Sequence, residues 1–474
     1  MTLIPFLLLF TFVFSIDTSV FNNLRIYQVM VSSFQDGDSS RGYCTGYGPS
    51  THCGDLRGII NSLQYIKDLG MNALWMTPVF NSNGGSKLDS TGYYTYDYFN
   101  VDPKFGTNDE LHELINKAHN LGLYVILDGV FGHHKSGNVA ASPNGKYPEG
   151  GNNPVSYPGS LEFYKEVATY WINNYEIDGW RLDQAYQVST KNQDKNYWTD
   201  IREIIESTCD NRKNQGKQWG ILGYMVGEIW DSADNINNWG YYASGGYGLR
   251  SCFHFPGRYY LVQTLACEES GKGGYDAENL KNIFTSGYPE YAYPNMFMTN
   301  HDLLRFGNLI RKKYGYGRDN NDYWGRHRAA IAFLASYTGP ITIYYGDEVG
   351  DLVECYNNPG DCGGAYNDNA ARSDGHIQGF DSNEQALHDF TAKLMKIRAS
   401  NPALYQGTIQ NEKTDKGLYK VDKIYENNKV QVMINVGTYS YDVNCEKGTD
   451  LITGKSYSGT CPLTAFGVIF LKYN

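Results

Sequence analysis

EIDGWRLD, residues 176–183, decides the fold reading: an apolar run short enough for a buried strand that ends on an acid, Asp183. A parallel barrel keeps its reacting groups at that point, the mouth formed by the C-terminal ends of its strands. Two later apolar runs end the same way, MVGEIW on Glu228 and MTNHD on Asp302. Three acids in matching positions suggest one shared pocket and glycosidic-bond chemistry.

Working outward, strand and helix patterns alternate along most of the chain. RIYQVMV (25–31), NALWMT (72–77) and YVILDGV (124–130) read as strands upstream of EIDGWRLD, and YMVGEIW, SCFHF, NMFMTN and ITIYYG follow it. Between them, residues 54–70 repeat apolar side chains at Leu56, Ile59, Ile60, Leu63, Ile66 and Leu69, a helical stripe, and residues 109–122 form a second helix. Eight strands separated by helices predict an α/β fold, a (β/α)8 TIM barrel over residues 18–130 and 159–405. Residues 131–158 are rich in Gly, Asn and Pro and read as a long excursion after the third strand. From about Gln406 helices cease, and GLYKVDKIY, KVQVMINV and GVIFLKY predict an all-β C-terminal domain over 406–474.

Composition narrows the function. With 41% hydrophobic residues the 474-residue chain can bury a full core, and a net charge of −11 argues against a nucleic-acid partner. The basic run Arg311 to Lys313 is a solvated helix face. The apolar run from Leu3 to Phe14 is too short to span a bilayer comfortably and reads as a signal peptide over 1–17, with an uncleaved anchor as the alternative. Nine cysteines fit an oxidising compartment, with Cys44–Cys53, Cys252–Cys267, Cys355–Cys362 and Cys445–Cys461 as local pairs and Cys209 left over; buried thiols are the alternative. His52, His112 and His119 lack motif partners and are read as surface or loop histidines. Trp75 and Trp180 are assigned to the core, and core packing is preferred over the cleft rim for Trp230.

The acids gain meaning from their neighbours. Arg181 and Asp183 are two apart on a strand, so both point to one face, and the guanidinium would hold its neighbour ionised, as a nucleophile requires. A buried ion pair closing the barrel is the plain alternative. Glu228, near another negative charge, would keep a proton to give to a leaving oxygen. His301 and Asp302 would grip sugar hydroxyls and face a developing oxocarbenium ion, unless NHD merely caps a strand.

Together these residues resemble the α-amylase family of glycoside hydrolases, glycoside hydrolase family 13, from about Ile26 to the C-terminus. The resemblance is carried by DGVFGHH (128–134), GWRLDQA (179–185), GEIW (227–230), TNHD (299–302) and YYGDEVG (344–350), with GYYTYDY (92–98) and DPKFGTNDEL (102–111). It implies the barrel, a domain B at the excursion and a C-terminal β-sandwich. It also implies Asp183 as nucleophile, Glu228 as general acid/base and Asp302 as transition-state stabiliser, with Tyr93, His133, Arg181 and His301 holding the sugar. Where the family carries an Asn that helps to bind calcium, this chain has Gly132, and Tyr186 and Gln187 replace a Lys–His pair common after the nucleophile. The LPDLN-like segment is not recognisable around YPGSLEF (157–163). Asp36, Asp38 and Asp55 resemble the calcium-binding acidic loop of other branches, with Asx-turns and a helix cap as the alternative. Chloride dependence is not legible.

The expected activity is that of a secreted or luminal, monomeric endo-acting α-amylase cleaving α-1,4-glucosidic bonds in starch, glycogen and maltooligosaccharides. An α-glucosidase or transglycosylase of the same family, and a non-catalytic sugar-binding relative, are the alternatives.

Overall fold

The computed structural model describes residues 16–46, 48–243, 246–354 and 368–473. The leader segment up to Ser15 and the expected Cys355–Cys362 pair lie outside the described residues.

All eight expected strands form. They are β1 Arg25–Val29, β2 Ala73–Met76, β3 Tyr124–Gly129, β4 Gly179–Leu182, β5 Tyr224–Gly227, β6 Ser251–Cys252, β7 Met296–Phe297 and β8 Ile341–Tyr344. Every pairing is parallel, in the order β6-β5-β4-β3-β2-β1-β8-β7. A single parallel bridge, Phe253 to Asn295, joins the two ends into a barrel. Side chains reinforce that seam: the Asn295 amide donates to the Tyr224 hydroxyl and accepts from Thr342 Oγ1. The strands are buried on both faces, which is why they read as near-continuous apolar runs.

The surrounding helices are α1 Leu56–Asp68, α2 Asn108–Asn120, α3 Leu161–Tyr175, α4 Trp198–Asn214, α5 Phe255–Leu265, α6 Phe306–Tyr314, α7 Asn321–Ser336 and α8 Ser382–Ser400. Asp55 caps α1 by accepting from Gly58 N at 2.7 Å, and Thr107 with Glu110 forms a capping box on α2. After β5 the connection carries a short helical stretch, Ala233–Ile236 and Asn237–Tyr241, and a two-stranded hairpin, Tyr242–Ala243 with Gly246–Tyr247. Residues 131–158 contain no helix and only one isolated bridge, Glu149 to Ser156. They dock on the loop after β2, where Lys135 N donates to Thr95 O and Ala140 N to Tyr96 O.

The C-terminal domain is one six-stranded antiparallel sheet, β9 Thr408–Asp415, β10 Leu418–Tyr425, β11 Asn428–Asn435, β12 Tyr441–Asp450, β13 Ser456–Leu463 and β14 Val468–Tyr473, ordered β9-β10-β11-β14-β12-β13. Alternation sorts its side chains. Val430, Val432, Ile434 and Phe470 join the main core, whereas Met433, Ile469 and Leu471 join a second core inside the domain.

Three residue assignments need correction. Cys44–Cys53 and Cys445–Cys461 are disulfides, but Cys252 and Cys267 are separate buried thiols. The helix α5 lies between them, and 11 residues at about 1.5 Å each hold its ends too far apart for an S–S bond. Cys209 is free, as expected. His52 and His119 are buried rather than exposed: His52 meets Ser90, and His119 bonds Asp178 at 2.8 Å while stacking on Trp219. Their partners are distant in sequence, so no local motif announced them. Trp75 and Trp180 are core, but Trp230 is 46% exposed.

At the barrel's N-terminal end, the fully buried Arg398 of α8 pairs with no carboxylate among the described residues and donates to the carbonyls of Asn22, Ala335, Tyr337, Gly339 and Leu404. One planar fork therefore ties the first segment, the α7–β8 turn and the end of α8. Arg398→Met is expected to destabilise the fold by about 3 kcal/mol or more, because several buried carbonyls lose their donor together. Arg398→Lys should recover little of this in denaturant melts, since one ammonium cannot span the same acceptors.

Candidate active site

The sheet register brings two of the predicted acids together. Leu182 pairs with Gly227, so Asp183 and Glu228 each stand one residue beyond paired strand ends. Backbone bonds extend the ladder past those ends: Asp183 N donates to Gly129 O, and Glu228 N to Leu182 O. Gln184 then adopts a left-handed conformation (φ 39°), and its N–H donates to Glu228 Oε2 at 3.1 Å.

Arg181 is 1% exposed and faces the same interior. Its Nη1 meets Asp183 Oδ1 at 2.9 Å and both Asp128 oxygens at 3.0 Å, and its Nη2 meets Glu228 Oε2 at 3.0 Å. One guanidinium thus sets the spacing of three carboxylates. With a single cation among three buried acids, full ionisation would leave uncompensated negative charge, so a proton is retained in the cluster. Burial pushes Glu228 up to about 7, the highest of the three, and pushes Asp183 up to about 6 against the pull of Arg181. Arg181 therefore moderates the rise at Asp183 rather than cancelling it.

Asp302 follows β7 and enters the same cleft. Its backbone N–H donates to Asn300 Oδ1, and its carboxylate accepts from Arg372 Nη2 at 2.8 Å. Burial works against this charge, but the Arg372 and Arg181 guanidiniums hold the group below the usual carboxylate range. Burial also drives His301 down to about 3, so it is neutral and Arg372 is the operative cation beside Asp302.

The cleft, about 250 Å³, is lined by Leu88, Thr91, Tyr93, Tyr94, His133, Asn153, Asp183, Gln184, Asp302 and Arg372. Of the four expected sugar contacts, Tyr93 and His133 are on its wall. Arg181 and His301 are buried behind it: His301 stacks on Tyr93, with Nε2 2.7 Å from the phenol oxygen and Nδ1 2.8 Å from the Gln28 amide. Sequence reasoning missed Gln28, Asp128, Asn153, Gln187 and Arg372 as members. Gln28 and Asp128 had a legible signal, a polar residue inside an otherwise apolar strand. Arg372, in the AARSDG loop, had none.

The calcium expectations fare differently from the acids. Asp55 is occupied as a helix cap and also accepts from Gly37 N and Asp38 N, while Asp38 is engaged by Ser40 and Arg41. A loop already neutralised by a guanidinium is a poor place for a second cation. Among the described residues no group of three His, Cys, Asp or Glu side chains that could hold a metal ion is found. At the barrel–excursion joint a Cβ on Gly132 would lie 2.4 Å from both Cβ and Oε1 of Gln187, so the missing Asn ligand has no room here.

Comparison with known proteins agrees with this geometry. The family described as "Alpha amylase, catalytic domain" matches residues 28–144 and 160–373. A cyclomaltodextrinase of Thermoanaerobacter pseudethanolicus is 27% identical over 458 residues, 87% of this chain and 70% of that protein. Alpha-amylase 3 of Dictyoglomus thermophilum is 26% identical over 90% of this chain and 87% of its own length. Among solved structures, AmyP in complex with maltose superimposes with a TM-score of 0.90 at 42% identity, covering 96% of this chain and 97% of AmyP. On the matched domain, the closed barrel and the acids at its mouth, the chain belongs to the α-amylase family and is a glycoside hydrolase of family 13 acting on α-glucans.

Proposed function

We propose that the chain is a retaining α-amylase that cleaves α-1,4-glucosidic bonds inside starch, glycogen and maltooligosaccharides. The observation that carries this reading is Arg181 holding Asp183 on one nitrogen and Glu228 on the next, which gathers the two carboxyls on one guanidinium and suits a covalent route. Asp183 attacks the anomeric carbon while Glu228 gives its proton to the departing oxygen. Glu228 then takes a proton from water as the water oxygen bonds the anomeric carbon and the bond to Asp183 breaks. Asp302, held ionised beside Arg372, faces the positive charge that develops at the sugar ring. The two disulfides support secretion or residence in an oxidising lumen, and among the described residues no helix is long and apolar enough to cross a membrane. A bound calcium is not part of this reading.

A second reading, preference for cyclic or short maltooligosaccharides with transfer to sugar acceptors, is favoured by one feature. Trp230, two residues past Glu228, is exposed, stacks on Phe255 and is fixed by an N–H bond to the Tyr259 hydroxyl. A fixed, exposed aromatic face two residues past Glu228 suits a departing or accepting glucosyl ring. The relatives named cyclomaltodextrinase point the same way.

Product sizing after incubation with soluble starch, maltose and a cyclodextrin separates the readings. Rapid shortening of starch with maltose intact is expected; free glucose from maltose would favour an α-glucosidase, and faster cyclodextrin opening than starch cleavage would favour the second reading. Asp183→Asn and Glu228→Gln should keep the melting temperature and lose about 10²- to 10⁴-fold or more in kcat; near-full turnover by either removes its assigned role.

The pH profile of kcat/KM should be a narrow bell. Activity rises with pH as Asp183 loses its proton near 6 and falls as Glu228 loses the one it must donate near 7. A profile flat well above neutrality would exclude Glu228 as the acid. Trp230→Ala should weaken use of maltooligosaccharides by about 3- to 10-fold and lower the share of transfer products, read by chromatography.

A further inference from the structure

Gln187 is buried directly behind the reaction pocket and does not line it. Its amide touches three residues that do. Oε1 lies 2.8 Å from His133 Nδ1, while Nε2 donates to Asn153 Oδ1 at 2.7 Å and to Gln184 Oε1 at 3.4 Å. These three come from the start of the excursion, its far end and the residue after Asp183. The Gln187 carbonyl accepts from Gln193 Nε2 at 2.8 Å, and the same nitrogen donates to Val155 O at 2.9 Å. The tail of β4 is thereby linked to both ends of the excursion through side-chain amides.

The seat of this amide exists because residue 132 is glycine. A Cβ there would stand 2.4 Å from both Cβ and Oε1 of Gln187, so with this backbone a side chain at 132 excludes the Gln187 amide and also crowds the Cβ that every residue but glycine carries at 187. An amide that donates through Nε2 presents its oxygen to His133, which places the imidazole proton on Nδ1 and leaves a lone pair on Nε2. His133 Nε2 lies 3.7 Å from Asp183 Oδ2, and burial favours the uncharged ring. The ring also bonds the Tyr93 backbone, so it is held between the wall of the cleft and the Gln187 oxygen, beside the reacting carboxylate.

We propose that Gln187, seated in the space left by Gly132, is a positioning residue of the reaction pocket, fixing the His133 tautomer and pinning Asn153 and Gln184 where the barrel meets the excursion. It joins these parts with one neutral amide, without a cation. The inference rests on the glycosidase reading for its kinetic arm, and its other arms stand without turnover.

Three measurements test it. Nitrogen-15 NMR of His133, assigned by the signal lost in His133→Gln, should show the Nδ1–H tautomer in the wild type and a mixture in Gln187→Leu; the same tautomer in both would overturn the proposal whether or not the enzyme turns over. The wild-type melting temperature should be the same with and without EDTA, and a fall reversed by calcium would overturn the cation-free joint. On maltotriose, Gln187→Leu should melt normally and lose about 10- to 100-fold in kcat/KM, whereas Gly132→Ala should lose as much and also melt lower, because its methyl meets the Cβ of residue 187. The double variant Gly132→Ala/Gln187→Gly, which removes both atoms the new methyl would meet, should be no worse in kcat/KM than Gly132→Ala alone, because both changes evict one amide. Losses that multiply, or singles within about twofold of wild type, would overturn it. Should Gln187→Leu not fold, Gln187→Glu replaces it. That variant still accepts from His133 but cannot donate to Asn153, so its deficit relative to wild type should shrink as pH falls and the new carboxyl gains a proton; a deficit constant with pH counts against the proposal.

Discussion

The Arg181 guanidinium is the interaction on which the site depends. Three carboxylates from three adjacent strands point at it, and each would be expensive to bury alone. The cation makes their burial tolerable, and its rigid fork fixes where their oxygens stand. Charge balance and geometry are therefore not separate properties of this centre. The proton held by Glu228 and the near-ionised state of Asp183 both follow from one positive charge being shared among three acids.

Everything around the guanidinium limits its freedom. Arg181 lies against the faces of Trp75 and Tyr93, and Asp128 receives bonds from the Trp75 indole and the Tyr93 hydroxyl as well. The barrel strands carry these groups in register, so their relative positions are those of a parallel ladder rather than of a loop. The C-terminal sheet adds a second core away from the cleft, and its outer face seals against the barrel.

Much of this was readable from the chain. The eight strands and main helices announce themselves because strands buried on both faces must be apolar throughout, and helices buried on one face must repeat at helical spacing. Asp183, Glu228 and Asp302 were visible because an acid ending such a run is conspicuous. What stayed hidden depends on long-range contact. His119 finds Asp178 across 59 residues, and Arg372 reaches Asp302 across 70. The Cys252–Cys267 expectation failed because close spacing says nothing about an intervening helix. Gly132 and Gln187 were each noticed as departures, yet that they are halves of one packing solution requires coordinates.

The barrel is not closed equally all round. Seven of its joints are strand ladders, and the eighth is a bridge of one residue pair between the ends of β6 and β7. Glu228, one strand before β6, lies on one side of that join and Asp302, just past β7, on the other, whereas Asp183 and Glu228 share unbroken sheet. The wall is thus a hoop with a clasp. Asp302 is thus placed across a join of one residue pair, braced by the Asn295 side chain, whereas Asp183 and Glu228 are placed by a continuous ladder.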